Sequence, residues 1–154
     1  MEEEKVNILY VDDELNNLIS FKATFRIKYN VFTAISGEEA IPILDENEIH
    51  VLITDQRMPG MTGVEFLEKI LPNHPDPMRI LLTGFTDFEA LKDAVNIGKI
   101  MAYLEKPWLE KELSEKIEEA YAIYKKRKEE REYAERLALS NDQFEFLLRQ
   151  KLLS

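Results

Sequence analysis

The chain of 154 residues contains no cysteine. Disulfides, thiol catalysis and thiolate metal sites are therefore excluded, and a reducing compartment is compatible with the composition. Long apolar runs are also missing. None exceeds about six residues, against the roughly 20 that a membrane-spanning helix needs. The opening Met1-Glu2-Glu3-Glu4-Lys5 has neither the basic start nor the apolar stretch of a secretory signal. A cytoplasmic location without membrane association is the expectation. Positive charge is in deficit, with 20 Lys/Arg against 30 Asp/Glu and a net charge of −10. The deficit is uneven: residues 1–108 hold 10 basic and 19 acidic residues, net −9, and residues 109–154 hold 10 and 11, net −1. An acidic surface repels phosphate backbones, so no direct nucleic-acid binding is expected, whereas a divalent cation or a basic partner is attracted. Histidine is scarce, and neither His50 nor His74 has a partner at metal-ligand spacing.

What the chain does have is 45% hydrophobic and 10% aromatic residues, enough for a core and too much for disorder. The length suits one domain with an appendage. Five short apolar runs punctuate the sequence: Val6–Val11, Asn30–Ile35, His50–Asp55, Met78–Gly84 and Ile100–Lys106. Each reads as a buried strand. Helical spacing fills the gaps. Leu15, Leu18, Ile19, Lys22, Phe25 and Arg26 predict a first helix whose stripe runs to about Tyr29. Ser36, with Glu39 three residues later, predicts a capped second helix carrying Pro42 early. Val64, Phe66, Leu67 and Ile70 mark a third, and residues 87–98 a fourth, with Asp87 at its start and Gly98 just past its end. Strands apolar throughout and alternating with helices imply a doubly wound α/β fold around a five-stranded parallel sheet.

The last helix does not stop where a domain should. No glycine or proline follows Pro107. Leu109, Leu113, Ile117, Ala120 and Tyr124 form a stripe that can pack on the sheet. The run 125–136 is almost wholly charged, and Phe144, Phe146, Leu147, Leu148, Leu152 and Leu153 turn apolar again. A polar stem with an apolar tip predicts a helix that pairs with something. Heptad support is partial: Leu137, Phe144 and Leu148 fit a seam on which Asn141 and Lys151 also fall.

The chemistry concentrates where strands end. Asp12 and Asp13 close the first, Asp55 the third, Thr83-Gly84 the fourth and Lys106-Pro107 the fifth. In a parallel sheet these groups share one edge, where ligands bind. Crowded carboxylates repel one another, and a hard cation such as Mg²⁺ relieves the strain. With Lys106 and the Thr83 hydroxyl beside it, such an edge suits a phosphoryl group. Asp55, alone and central, is the better nucleophile candidate, and the Asp12-Asp13 pair suits metal. Taken singly, each residue has an ordinary reading: helix-cap acids, a turn aspartate, a strand exit, a solvated lysine, and a core ring for Tyr103. Their convergence on one edge is what argues otherwise.

At these residues the sequence resembles the receiver domain of bacterial two-component response regulators. The matching stretches are "YVDDE", "LITDQRMPGMTGVEFL", "ILLTG" and "YLEKPW", in order, over residues 5–124. The resemblance implies a flavodoxin-like sheet of strand order 2-1-3-4-5. It implies that Asp55 is the phosphoacceptor, and that Asp13, Asp55 and the backbone carbonyl of Arg57 hold Mg²⁺ (or Mn²⁺), with Asp12 on a metal-bound water. Lys106, before a cis peptide to Pro107, contacts the phosphoryl group. Thr83 follows that group inward, and Tyr103 is the coupled switch on the face of helix four, strand five and helix five. Gly84 leaves the approach open, and the Arg57 position influences dephosphorylation. A sensor histidine kinase or phosphotransfer protein is the implied donor.

The expectation is a receiver over residues 5–124 and a helical extension over 125–154, which forms a homodimer or docks a partner. No enzyme or DNA-binding output domain is expected. A haloacid-dehalogenase-type phosphatase would need Asp-x-Asp on strand one, where this chain has adjacent acids. Two alternatives stay open: a piece of a larger regulator, and a non-phosphorylated adaptor on the same fold.

Overall fold

The computed structural model describes residues 4–84, 88–96 and 100–153. The order is β1 (Asn7–Val11), α1 (Leu15–Phe25), β2 (Asn30–Ala34), α2 (Gly37–Glu46), β3 (Val51–Asp55), α3 (Gly63–Ile70), β4 (Met78–Thr83), α4 (Phe88–Asn96), β5 (Ala102–Glu105) and α5 (Glu110–Leu153). All four strand pairings are parallel, in the order β2-β1-β3-β4-β5. This is the flavodoxin-like sheet expected. The chain leaves β1 for β2 on one side and returns to β3 on the other, so the loops after β1 and β3 diverge and open a crevice at their carboxyl ends.

Alternation within the strands loads both faces. Ile8, Tyr10, Ile53, Ile80 and Leu82 face α1 and α5. Leu9, Val11, Leu52 and Leu81 face α2, α3 and α4. Every residue of β3 and β4 is buried, which is why their sequences are mostly apolar.

Local signals set the helix starts. The Ser36 hydroxyl accepts from the Glu39 amide at 3.1 Å, while the Glu39 carboxylate reaches back to the Ile35 amide, one residue before the expected partner. Thr62 and Glu65 form the complete reciprocal box at α3. The expected cap Asp87 and stop Gly98 lie outside the described residues.

Two helical phases differ from the sequence reading. In α1 the buried residues are Leu18, Phe21 and Phe25, whereas Leu15 and Ile19 face solvent. The helix ends at Phe25, and single-turn hydrogen bonds to the Phe25 carbonyl carry the chain on to the buried Tyr29. In α5 the seam begins at Leu113, because Leu109 is exposed. Leu113, Ile117 and Ala120 are fully buried, each large side chain contributing about 1.5–3 kcal/mol.

The α5 helix runs for 44 residues, about 66 Å. Past Tyr124 it is held by polar contacts at the sheet's amino-terminal end. The Tyr124 hydroxyl donates to Glu48 at 2.8 Å and Lys128 meets the same carboxylate at 3.1 Å. Arg131 pairs with Asp76 at 2.7 Å. Beyond Arg131 every side chain described is exposed. Among the described residues no helix is long and apolar enough to cross a membrane.

Candidate functional site

Strand register assembles the site. Val11 lies opposite Thr54, which brings Asp12 alongside Asp55. Asp55 lies opposite Leu82, so Thr83 is one step further out. Thr83 lies opposite Glu105, and the next residue, Lys106, donates its amide to the Thr83 carbonyl at 2.9 Å. The Lys106–Pro107 peptide is cis, as expected. Asp12, Asp55 and Thr83 are buried, and Asp13 is exposed beside them.

The Lys106 ammonium bridges two carboxylates, at 2.8 Å from Asp55 Oδ2 and 3.2 Å from Asp12 Oδ2. Burial works against its charge, but contact with Asp55 and Asp12 outweighs burial and raises its pKa. Asp55 moves the other way in stability: burial, aided by Asp12, pushes its carboxyl above the ordinary range despite the lysine. The charge on Asp55 is thus only partly compensated by one ammonium. Additional positive charge at this edge would complete the compensation.

The donor set fits a hard divalent cation. Asp12, Asp13 and Asp55 each offer a carboxylate oxygen, all within 4.8 Å of one another. Oxygen ligands from a few carboxylates are what Mg²⁺ takes. Arg57 stands exposed in the loop two residues past Asp55. Tyr103 lies on β5 opposite Leu81 with 47% of its surface exposed, so the core reading of this ring does not hold. Gly84 is exposed, with open space around its Cα.

The loop after Asp55 is pinned at both ends. The Gln56 amide donates to Leu82, its carbonyl accepts from Gly63, and its side-chain oxygen accepts from the Val64 amide at 2.9 Å. Gly63 packs so closely that a Cβ there would collide with the Asp55 carbonyl oxygen. Between these anchors Gly60 adopts φ +83°, which suits a residue without a side chain.

A second group of possible ligands, Glu4, Glu48 and His50, meets at the opposite end of the sheet. His50 is buried, and its Nδ1 accepts the Asn7 amide at 2.8 Å. The neutral ring then carries its proton on Nε2, 3.6 Å from Glu48, and that nitrogen has no lone pair for a metal. His50 is a core residue here, and His74 pairs with Asp45 at 2.7 Å.

The sequence reading missed Tyr10 and Asn17. The Tyr10 hydroxyl donates to Asp12 Oδ2 at 2.8 Å, and the Asn17 amide reaches the same oxygen at 3.1 Å. The available signal was a tyrosine within a buried strand, since a buried hydroxyl needs a partner.

Comparison with known proteins gives a consistent picture. The family model described as response regulator receiver domain matches residues 8–118. A hydrogenase transcriptional regulatory protein, HoxA of Cupriavidus necator, is 35% identical over 120 residues, covering 78% of this chain and 25% of that protein. The chain therefore spans about a quarter of the length of the curated relatives it matches. Among solved structures, a response regulator receiver domain protein from Clostridium thermocellum superposes with TM-score 0.74 at 35% identity, covering 78% of this chain and 97% of that one. A chain described as adenylate cyclase from Rhodopirellula baltica reaches TM-score 0.83 at 28% identity, covering 86% of this chain and 98% of that one.

Proposed function

Because the chain belongs to the response regulator receiver family, we propose that it is switched by phosphorylation of Asp55. The observation that carries this reading is the Lys106 ammonium bridging Asp55 and Asp12 at the carboxyl edge of the sheet, with Asp13 beside them. A histidine kinase or phosphotransfer protein would present a phosphohistidine. An Asp55 carboxylate oxygen forms the new bond to phosphorus, the P–N bond breaks, and the histidine nitrogen leaves with the electron pair. Lys106 neutralises phosphoryl oxygens, and Thr83, buried one step beyond the register partner of Asp55, offers its hydroxyl to them. Asp12, Asp13 and Asp55, with the Arg57 carbonyl, would hold Mg²⁺, and the bound cation would add positive charge where the phosphoryl oxygens gather.

Output is proposed to run through two elements. Tyr103 is exposed on β5 and free of core packing, as a ring that changes sides must be. The stretch past Arg131 exposes Leu137, Phe144, Leu147 and Leu148, a tip suited to a second copy or a partner helix. Residues 5–124 form the receiver in this reading and 125–154 the extension, in a cytoplasmic signalling protein that is not an enzyme in its own right.

Incubation with acetyl phosphate and Mg²⁺ tests the core of the proposal. An acid-stable, base-labile phosphate on Asp55, seen as a single mass increment, is expected. Labelling that survives Asp55→Asn would end the assignment. Light scattering on the full chain against Leu137→Glu with Phe144→Glu tests the tip. Equal masses at working concentration would reject self-pairing.

A further inference from the structure

The donors around Asp12 are more numerous than a core position requires. Its Oδ1 accepts the Glu14 amide at 3.0 Å. Its Oδ2 accepts the Tyr10 hydroxyl at 2.8 Å, the Asn17 amide at 3.1 Å and the Lys106 ammonium at 3.2 Å. A carboxylate offers about four lone-pair positions. At two positions per oxygen, the three donors oversubscribe Oδ2, and among the described residues Oδ1, with one donor, has a position open.

These four donors do not have equal permanence. The Glu14 amide belongs to the backbone. Lys106 is shared with Asp55 and lies closer to it. An anion arriving at Asp55 draws that ammonium away. Without further anchors the carboxylate would then turn about its last torsion, which has a broad and shallow profile.

Tyr10 cannot move with it. The ring is fully buried in β1 and stacked on Phe21 at 4.3 Å and 15°. Its hydroxyl hydrogen points at Asp12 Oδ2 from a ring that packing holds in place. Asn17, in the first turn of α1, is half-buried and clamps the same oxygen from the solvent side.

We propose that Tyr10 and Asn17 are positioning residues for the phosphoryl site: they fix the Asp12 carboxylate so that Oδ1 alone faces a bound cation while Lys106 exchanges partners. The inference rests on the functional reading above insofar as that reading places a cation at Asp12, Asp13 and Asp55. The rival account is that Asp12 merely satisfies a buried tyrosine. On that account, removing the hydroxyl leaves the carboxylate free and metal binding unchanged.

The test uses the full chain and the metal alone. Tyr10→Phe keeps the ring and its stacking and removes only the donor. Mn²⁺ is titrated and the free ion counted by its electron paramagnetic resonance signal, with Mg²⁺ as competitor. Loss of an outer partner of a metal ligand costs about 10–100-fold in affinity. We therefore expect Tyr10→Phe to weaken Mn²⁺ binding on the order of 10-fold, and Asn17→Leu to weaken it less, a few-fold. Acetyl phosphate labelling should slow at low metal and return to within about twofold of wild type at saturating metal, as a defect in metal positioning alone requires. Unchanged affinity in both variants overturns the inference, and so does a wild-type chain that takes up no Mn²⁺. Weakened affinity in a chain that never labels Asp55 would leave the positioning role standing and defeat the phosphoacceptor reading. Labelling with unchanged affinity would do the reverse. Should Tyr10→Phe lose its fold by circular dichroism, Asn17→Leu, on the solvent side of α1, decides alone.

Discussion

The two ends of the sheet both gather polar groups, and they do so on opposite terms. At the carboxyl end, Asp12 and Asp55 share one ammonium, and burial makes the charge on Asp55 costly. At the amino end, donors and acceptors match. Glu48 receives Tyr124 and Lys128, Asp76 receives Arg131, and His50 receives the Asn7 amide. Glu48 is accordingly held below the ordinary carboxylate range, first by the Tyr124 hydroxyl and then by Lys128. One end is left short of positive charge, where the proposed cation would sit. The other is internally complete and holds a helix.

Substitutions at the two ends should therefore part function from stability. The largest effect is expected for Asp55→Asn. It should abolish acetyl phosphate labelling and yet raise the melting temperature, because a buried charge disfavoured by its surroundings is removed. A lower melting temperature would contradict the account of this end as strained. Gly63→Ala comes next. Forcing a methyl group against the Asp55 carbonyl should cost about 1–3 kcal/mol in denaturant unfolding and slow labelling as well, since the backbone at the proposed phosphoacceptor must shift.

Tyr124→Phe probes the matched end. Loss of the hydroxyl that Glu48 accepts should cost about 1–2 kcal/mol and leave the labelling rate unchanged. His50 supplies a pH test. Burial holds its pKa below the ordinary 6.5, with Glu48 and Glu4 pulling upward and Lys128 downward, and Tyr121 and Tyr124 packed on the ring. The unfolded chain takes the proton first. The stability that His50 contributes is thus complete above about pH 6.5 and is lost as pH falls toward the folded-state value. His50→Gln should flatten this part of the melting curve against pH. The smallest effect is expected for Arg131→Ala, below about 1 kcal/mol, because both partners of that pair are largely exposed.

The carboxyl end was legible in the sequence because four of the five strands end at or beside a polar residue. Asp12 and Thr83 follow apolar residues directly, Asp55 follows Thr54 and Lys106 follows Glu105, and parallel pairing brings such ends together without further information. Tyr10 was not legible as part of that end. Inside "NILYV" an aromatic counts as apolar, and only the structure aims its hydroxyl at Asp12. Helical phase was ambiguous for a related reason. Leu15-Leu18-Ile19 and Leu18-Phe21-Phe25 both satisfy spacings of three and four, and the sheet's position selects the second. The matched end was invisible, since Glu48 and Tyr124 lie 76 positions apart and neither residue type predicts the other.

The collar formed by Glu48, Asp76 and their partners on α5 also has a mechanical consequence. It is a fulcrum. Beyond Arg131 the helix extends about 33 Å to Leu153, so a tilt of about 5° at the collar sweeps its tip through roughly 3 Å. A shift too small to disturb packing in the body becomes, at the far end of this lever, a displacement comparable to the width of a methyl group.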